Sequence, residues 1–74
     1  MADKTLDLRG LKCPLPALRT RKALAGSAAG DVLTITCTDP LAAIDIPAIL
    51  CETGDVLEKT HQEARVITFR IRKR

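Results

Sequence analysis

Hydrophobic and polar residues alternate in two stretches of the first half of the chain. In residues 5–9, two leucines flank Asp7 on one side of the backbone, which predicts a short strand ending at Gly10. In residues 32–38, apolar side chains alternate with threonines, so the predicted strand has one buried face. That face consists of Leu33, Ile35 and Cys37.

The last third of the chain predicts a hairpin. Residues 55–60 and 65–72 form its two strands, with the turn at Gln62 and Glu63. In the second strand every other residue is apolar, so one side of the strand is expected to be buried. The inward residues are Ile67, Phe69 and Ile71, and the outward ones are Thr68, Arg70 and Arg72.

Two helical segments separate the strands. Cys13 stands where an N-cap belongs and Pro14 fits the first helical position, and the helix is expected to continue through Ala28 to Gly30. Its buried stripe is predicted to be Ala17, Leu24 and Ala28, with Leu15 and Leu18 exposed near its start.

The second helical segment carries two possible starts. Asp39-Pro40 and the pair Asp45 and Pro47 each combine a capping residue with a proline. The segment is therefore either a turn followed by a helix or a kinked helix, and it ends at Gly54. As caps, both aspartates are explained without a role in chemistry.

The element order is thus βαβαββ. A strand, helix and strand this close in sequence favour a right-handed parallel crossover, and the terminal hairpin makes the four-stranded sheet mixed. We expect an α/β (α+β) two-layer sandwich with both helices on one face of the sheet, because threonines and arginines on the other face can meet water.

Composition fits one small domain spanning residues 1–74. Of the 74 residues, 46% are hydrophobic, and a core this small leaves little apolar surface for a deep pocket. Chemistry should therefore sit on the surface and be completed by a partner. Residues 1–5 lack the apolar region of a signal peptide, and no stretch approaches a membrane span, so we expect a cytoplasmic protein that does not bind membranes.

The cysteines do not suggest a disulfide framework or a metal site. Three cysteines cannot all pair in one chain, no Cys-x-x-Cys pair exists, and His61 is the only histidine. His61 is expected in a surface turn. Cys37 is predicted to be a buried, unreactive side chain, and Cys51 lies among acids that would raise the pKa of its thiol.

Charge is distributed unevenly along the chain. Residues 1–22 carry a net charge of +4, residues 23–58 a net charge of −6 and residues 59–74 a net charge of +5. Basic ends favour an acidic protein surface or nucleic acid as partner. A single-stranded RNA ligand is disfavoured, because the chain has no Trp or Tyr and its one Phe is predicted to be buried.

Cys13 is the residue whose position points to chemistry. A helix N-terminus favours a thiolate, so we expect the pKa of Cys13 to be lowered by the amides of Leu15 and Ala17. Pro14 and Pro16 would stiffen the first turn. Nearby bases would add positive potential: Arg9, Lys12, Arg19, Arg21 and Lys22. The alternative is an ordinary, unreactive cysteine.

These residues also form a pattern that resembles a known family. Leu6-Asp7-x-x-Gly10-Leu11-x-Cys13-Pro14-x-Pro16, followed by Arg21-Lys22, Asp39-Pro40 and Asp45-Ile46-Pro47, is similar to the TusA/SirA family of small sulfur-carrier proteins along essentially the whole chain. This chain departs from some relatives in having Ile44 instead of a basic residue and Glu52 instead of an apolar one.

The resemblance implies a sulfurtransferase of carrier type. Cys13 would accept a persulfide sulfur from a cysteine desulfurase and hand it to an acceptor protein, with no cofactor other than that covalent sulfur. Gly10, Pro14 and Pro16 would position the cysteine. Arg21 and Asp39 would belong to the partner-facing surface, to which we add Lys12, Leu18 and Lys22.

The residues do not choose a pathway. Family members feed tRNA thiolation, for example 2-thiouridine formation, or molybdenum-cofactor assembly, sulfur oxidation or selenium metabolism. We expect a monomer without direct nucleic-acid binding. The alternative function is a non-enzymatic regulatory or RNA-binding module that uses the basic surface.

Overall fold

The structure, a computed structural model, describes residues 2–74 as six elements in the predicted βαβαββ order. Within this range no helix is both long and apolar enough to cross a membrane. The elements are β1 (Asp3–Leu8), α1 (Leu15–Ala25), β2 (Val32–Cys37), α2 (Ala42–Thr53), β3 (Val56–Glu63) and β4 (Val66–Arg72).

The four strands form one mixed sheet in the order β1-β2-β4-β3. β1 and β2 are parallel and are joined through α1, whereas β4 runs antiparallel to both of its neighbours. Leu8 pairs with Cys37 at the carboxyl ends of β1 and β2. The segments that follow these two strands therefore leave the sheet at the same edge, and the candidate site lies there.

A single apolar core joins the sheet to both helices. The predicted inward residues of β2 and β4 are all buried, which confirms the face assignment of both strands. Because side chains from α1 and α2 belong to the same cluster, both helices cover one face, as predicted. The core consists of Leu8, Leu24, Leu33, Ile35, Cys37, Ala42, Ile46, Leu50, Ile67, Phe69 and Ile71.

The buried stripe of α1 contains Leu24, as predicted, but its other members differ from the prediction. Pro16, Thr20 and Leu24, spaced four residues apart, are buried, while Ala17 is half-buried and Ala28 is exposed beyond the end of the helix. Thr20 can be buried because its hydroxyl donates a hydrogen bond to the carbonyl of Pro16 at 2.8 Å, which satisfies its polar group.

The turn of the hairpin lies two residues later than predicted. β3 continues through Gln62 to Glu63, and the turn consists of Ala64 and Arg65. The prediction was wrong because β3 is an edge strand, and the polar residues at its end are also typical of a loop. Ala64 has a φ of 54°, so the turn uses a left-handed residue without a glycine to mark it.

The second helical segment is a turn followed by a helix, the first of the two predicted alternatives. Asp39 accepts a hydrogen bond from the Leu41 amide at 3.0 Å and so forms a turn before α2 begins. Pro47 then lies inside α2. The helix ends at Gly54, whose φ of 81° is the left-handed conformation that glycine adopts most readily.

Candidate functional site

The loop that carries Cys13 is fastened to the end of β2 by two hydrogen bonds. The Gly10 amide donates to Oγ1 of Thr38 at 2.9 Å, and the Cys13 amide donates to Oδ2 of Asp39. Gly10 has a φ of 84°, so a left-handed turn directs the chain from β1 toward this contact. The Cys13–Pro14 peptide bond is cis.

The thiol of Cys13 contacts a carboxylate on the other helix. Its Sγ lies 2.8 Å from Oδ2 of Asp45, which lies in the first turn of α2. At this distance the S–H group donates a hydrogen bond to the carboxylate. The Cys13 side chain is otherwise exposed, so the thiol is accessible from solvent while it is held by Asp45.

The electrostatics of this contact contradict the prediction of a lowered pKa. The hydrogen bond to Asp45 raises the pKa of the Cys13 thiol above its ordinary value, and partial desolvation and the charges of Asp45 and Asp39 act in the same direction. Removing the proton from Cys13 would place a third negative charge beside two carboxylates. The free protein therefore favours the thiol form.

Cys13 also does not occupy the predicted N-cap position. The residue in that position is Pro14, and α1 begins at Leu15. The Leu15 amide donates to the carbonyl of Lys12 at 2.9 Å, so this amide is not directed at the sulfur. The Leu15 amide therefore does not stabilise a thiolate in the way that the sequence suggested.

Two of the five nearby bases are paired with acids. Arg9 pairs with Asp7 at 2.9 Å, and this pairing lowers the pKa of Asp7 to about 2. Arg21 pairs with Glu52 across the two helices. The charges that act on the pKa of Cys13 are the carboxylates of Asp45 and Asp39, which raise it, so the expected lowering of this pKa by nearby bases is wrong.

The thiol opens onto a groove of about 460 Å³ between the two segments that leave the sheet. Of the exposed large apolar residues, Leu41 lines this groove. Leu15 and Leu18 in α1 are exposed, as predicted. The groove is lined by Gly10, Leu11, Lys12, Cys13, Thr38, Asp39, Pro40 and Leu41.

The structure brings together only some of the predicted partner-binding residues. Lys12 and Asp39 line the groove beside Cys13, and the exposed Leu18 and Arg21 lie on α1. Lys22 instead faces a hollow that α1 forms with β1, on a different side of the helix. Among the predicted positioning residues, Pro16 lies in the first turn of α1 and is buried, while Gly10 and Pro14 are exposed.

Two residues at the site were not predicted to belong to it. Asp45 was explained as a cap, whereas its carboxylate contacts the thiol. Leu41 lines the groove beside Cys13, and 51% of its surface is accessible. The signal that could have found them is the parallel pairing of β1 and β2, which places the segments after both strands side by side.

The other cysteines have different environments. Cys37 is fully buried in the core, and burial raises the pKa of its thiol to about 11, which agrees with an unreactive residue. Cys51 is exposed on α2 and, like the other two, is not in a disulfide. Across residues 2–74 no group of three or more His, Cys, Asp or Glu side chains is arranged to hold a metal ion.

Comparison with known proteins identifies the family. The family model described as sulfurtransferase TusA matches residues 4–73. The chain is 48% identical over 69 residues to a candidate sulfur carrier protein of Neisseria meningitidis, covering 93% of both chains. It is 39% identical over 71 residues to the sulfur carrier protein TusA of Allochromatium vinosum, covering 96% of this chain and 93% of that one. The chain therefore belongs to the TusA family of sulfurtransferases.

Proposed function

We propose that this protein is a sulfur carrier that holds a sulfane sulfur as a persulfide on Cys13. A cysteine desulfurase would load the sulfur, and an acceptor protein would remove it. The observation that carries the proposal is the exposed Cys13 thiol beside an open groove, in a chain whose relatives are named sulfur carriers. Such a free thiol fits a reducing compartment, so we propose that the protein acts in the cytoplasm.

The transfer needs no cofactor, because the sulfur moves between two thiols. Cys13 attacks the outer sulfur of the donor persulfide, R–S–S⁻, and the S–S bond of the donor breaks. A new S–S bond forms on Cys13, and the proton of the Cys13 thiol passes to the departing donor sulfur. The products are R–SH and the Cys13 persulfide anion, so atoms and charge balance. Return of the sulfur to an acceptor is the same exchange with the roles reversed.

The surface around Cys13 suits a protein partner. Leu41 lines the groove beside the thiol, and Leu15, Leu18 and Ile44 are further exposed apolar residues of the two helices. Apolar side chains at the centre of an interface provide much of its binding energy. Lys12 and Asp39 add charged groups to the lining of the groove, which would pair with opposite charges on a partner. The groove is open, so a donor loop could bring its persulfide to the sulfur.

Loading from a desulfurase tests the proposal. The purified chain is incubated with a cysteine desulfurase and cysteine, and its intact mass is measured before and after treatment with dithiothreitol. We expect a reducible gain of one sulfur atom on the wild type and on Cys51→Ser. Cys13→Ser should fold normally and show no gain, because serine cannot form a persulfide. A gain retained in Cys13→Ser would place the carrier site on another residue.

The proposal includes delivery to tRNA 2-thiouridine formation as one route. Loaded protein would be offered to candidate acceptor proteins of that route, and loss of the added sulfur from Cys13 would be followed over time. We expect the sulfur to leave when the correct acceptor is added and to remain when an unrelated thiol protein is added. An unchanged loaded fraction with every acceptor of the route would exclude it.

The open face of the sheet gives no support to the alternative of an RNA-binding module. Phe69 is fully buried, as predicted, so it cannot stack on a base. Arg70 and Arg72 on this face both pair with Glu58, at 3.4 and 2.7 Å. Their charges are therefore partly neutralised in the free protein.

A further inference from the structure

The contact between Cys13 and Asp45 distinguishes the empty carrier from the loaded one. In the empty state the S–H group of Cys13 donates a hydrogen bond to Oδ2 of Asp45, and the two atoms Sγ and Oδ2 lie 2.8 Å apart. A persulfide is more acidic than a thiol, so near neutral pH the loaded Cys13 is an anion without a proton to donate. Loading therefore replaces an attractive contact by a repulsive one.

We propose that Asp45 is a positioning residue that biases the carrier toward release of its sulfur. Its carboxylate stabilises the empty thiol by accepting its hydrogen bond and destabilises the loaded persulfide by charge repulsion. The inference rests on the proposed function, since it concerns the equilibrium of the same transfer. The inference goes beyond the proposed function because it names a residue that lowers the equilibrium constant for loading Cys13 with sulfur.

The other groups that face the sulfur do not cancel this effect. Asp39, in the turn before α2, accepts a hydrogen bond from the Cys13 amide and adds a second negative charge near the sulfur. From the cysteine's own loop, Lys12 acts on Asp39 and offsets part of that charge. The first turn of α1 has no acidic residue, and Arg21 is paired with Glu52. The direct contact with the sulfur is made by Asp45.

The geometry also explains why the effect should reach the terminal sulfur. An S–S bond adds about 2.05 Å beyond Sγ, so the charged atom of the persulfide stays within the first few ångströms of the carboxylates. Exposed charges at such distances interact measurably, and salt weakens the interaction. The bias is thus expected to depend on ionic strength.

Equilibration with a small persulfide tests the proposal without a partner protein. Reduced full-length protein is mixed with glutathione persulfide and glutathione at about pH 8, and the loaded fraction of Cys13 is measured by mass spectrometry. Asp45→Asn keeps the shape of the side chain and removes its charge. We expect its equilibrium constant for loading to be roughly threefold higher than that of the wild type or more, which is the effect of removing one exposed charge interaction.

A matched control removes a charge elsewhere. Asp3→Asn makes the same change at the exposed start of β1, far along the strand from the Cys13 loop, and should load like the wild type. Asp45→Glu retains the charge and should stay closer to the wild type than Asp45→Asn does. In addition, higher salt should increase loading of the wild type and have a smaller effect on Asp45→Asn.

The empty state supplies an independent measurement. The rate of Cys13 alkylation by iodoacetamide is followed as a function of pH, and its midpoint should move to lower pH in Asp45→Asn. Equal loading of Asp45→Asn and wild type, or a wild-type loading that salt does not change, would overturn the proposed bias. Failure of the wild type to load from any persulfide would instead overturn the proposed function, while the alkylation midpoint would still decide whether Asp45 holds the thiol proton.

Discussion

The environment of the Cys13 thiol depends on residues that are distant in the sequence. Asp45 lies 32 positions further along the chain, yet its carboxylate accepts the hydrogen bond that the Cys13 thiol donates. The sequence identified Cys13 from its position before a helix, but it assigned the effect to helix amides and adjacent bases. Side-chain contacts between two segments depend on how those segments leave the sheet, and local patterns do not contain that information.

Gly10 is a residue whose backbone conformation shapes the site directly. Its φ is 84°, and a Cβ added there would meet no atom within 4 Å, so any cost of Gly10→Ala comes from the backbone conformation alone. We expect a loss of about 1–2 kcal/mol in the free energy of unfolding, since L residues disfavour the left-handed region by this amount. Sulfur loading of Cys13 should also slow, because the loop would shift from β2.

Gly26→Ala is the matched control for this prediction. Gly26 has a φ of −89°, and an added Cβ would make only ordinary contacts at 3.8 Å, so the substitution should leave stability unchanged or slightly increased. Denaturation curves of both variants measure the difference. If Gly10→Ala were as stable as Gly26→Ala, the left-handed turn would not be needed to place Cys13.

At the scale of the elements, alternation of apolar and polar residues predicted the buried faces of strands correctly, whereas a run of polar residues did not predict a loop correctly. The strands with alternating apolar residues, β2 and β4, have the predicted faces, because burying one side of a strand requires that pattern. The end of β3 was missed because an edge strand needs no apolar side. In the stripe of α1, Leu24 was predicted but Pro16 and Thr20 were missed. A polar threonine can be buried there because its hydroxyl donates a hydrogen bond to the carbonyl of Pro16.

The ion pair between α1 and α2 leads to a prediction about docking. Arg21 and Glu52 are both well exposed, so their pair should contribute less than about 1 kcal/mol to stability. Arg21→Glu places two acids together where α1 and α2 face each other. We expect slower association with the desulfurase at low salt and a smaller difference at high salt, because exposed charges act mainly on the association rate.

Lys22→Glu is the comparison that locates the docking face. It reverses the neighbouring charge, but Lys22 faces the hollow between α1 and β1 instead of α2. Stopped-flow or surface-binding rates at two salt concentrations should therefore show the larger defect for Arg21→Glu. A larger defect for Lys22→Glu would place the donor on the β1 side of α1 and away from the groove.

At the scale of the whole molecule, the uneven charge of the sequence becomes a polarity of the fold. β4 runs antiparallel to β2, so Arg72 pairs with Val32 at the end of the sheet opposite Leu8 and Cys37. The basic C-terminal strand thus directs its last residues away from the site. The acidic middle segment supplies Asp39 and Asp45 next to the thiol, and the net charges of the segments were visible in the sequence although their arrangement was not.

The buried and restrained thiols make the stability of the whole molecule sensitive to alkaline pH. The folded-state pKa of Cys37 is about 11, against an ordinary value of 9.0, and the pKa of Cys13 is also raised. Below pH 9.0, the thiol proton is present in both the folded and the unfolded chain, so these groups do not make stability depend on pH. As pH rises through this interval, the unfolded chain ionises first, so the free energy of unfolding falls until the folded thiol also ionises.

Denaturation at about pH 8 and about pH 10.5 should therefore show a smaller loss of stability in Cys37→Ala than in the wild type. Cys37→Ala leaves a small cavity in the core, so the quantity to compare is the change between the two pH values within each protein. The lysines titrate in both proteins and cancel in this comparison, and the chain has no tyrosine. Cys51→Ser, which alters an exposed thiol, is the control and should lose as much stability as the wild type does. An equal loss in Cys37→Ala would mean that the buried thiol does not stay protonated in the folded protein, and that the alkaline sensitivity arises elsewhere.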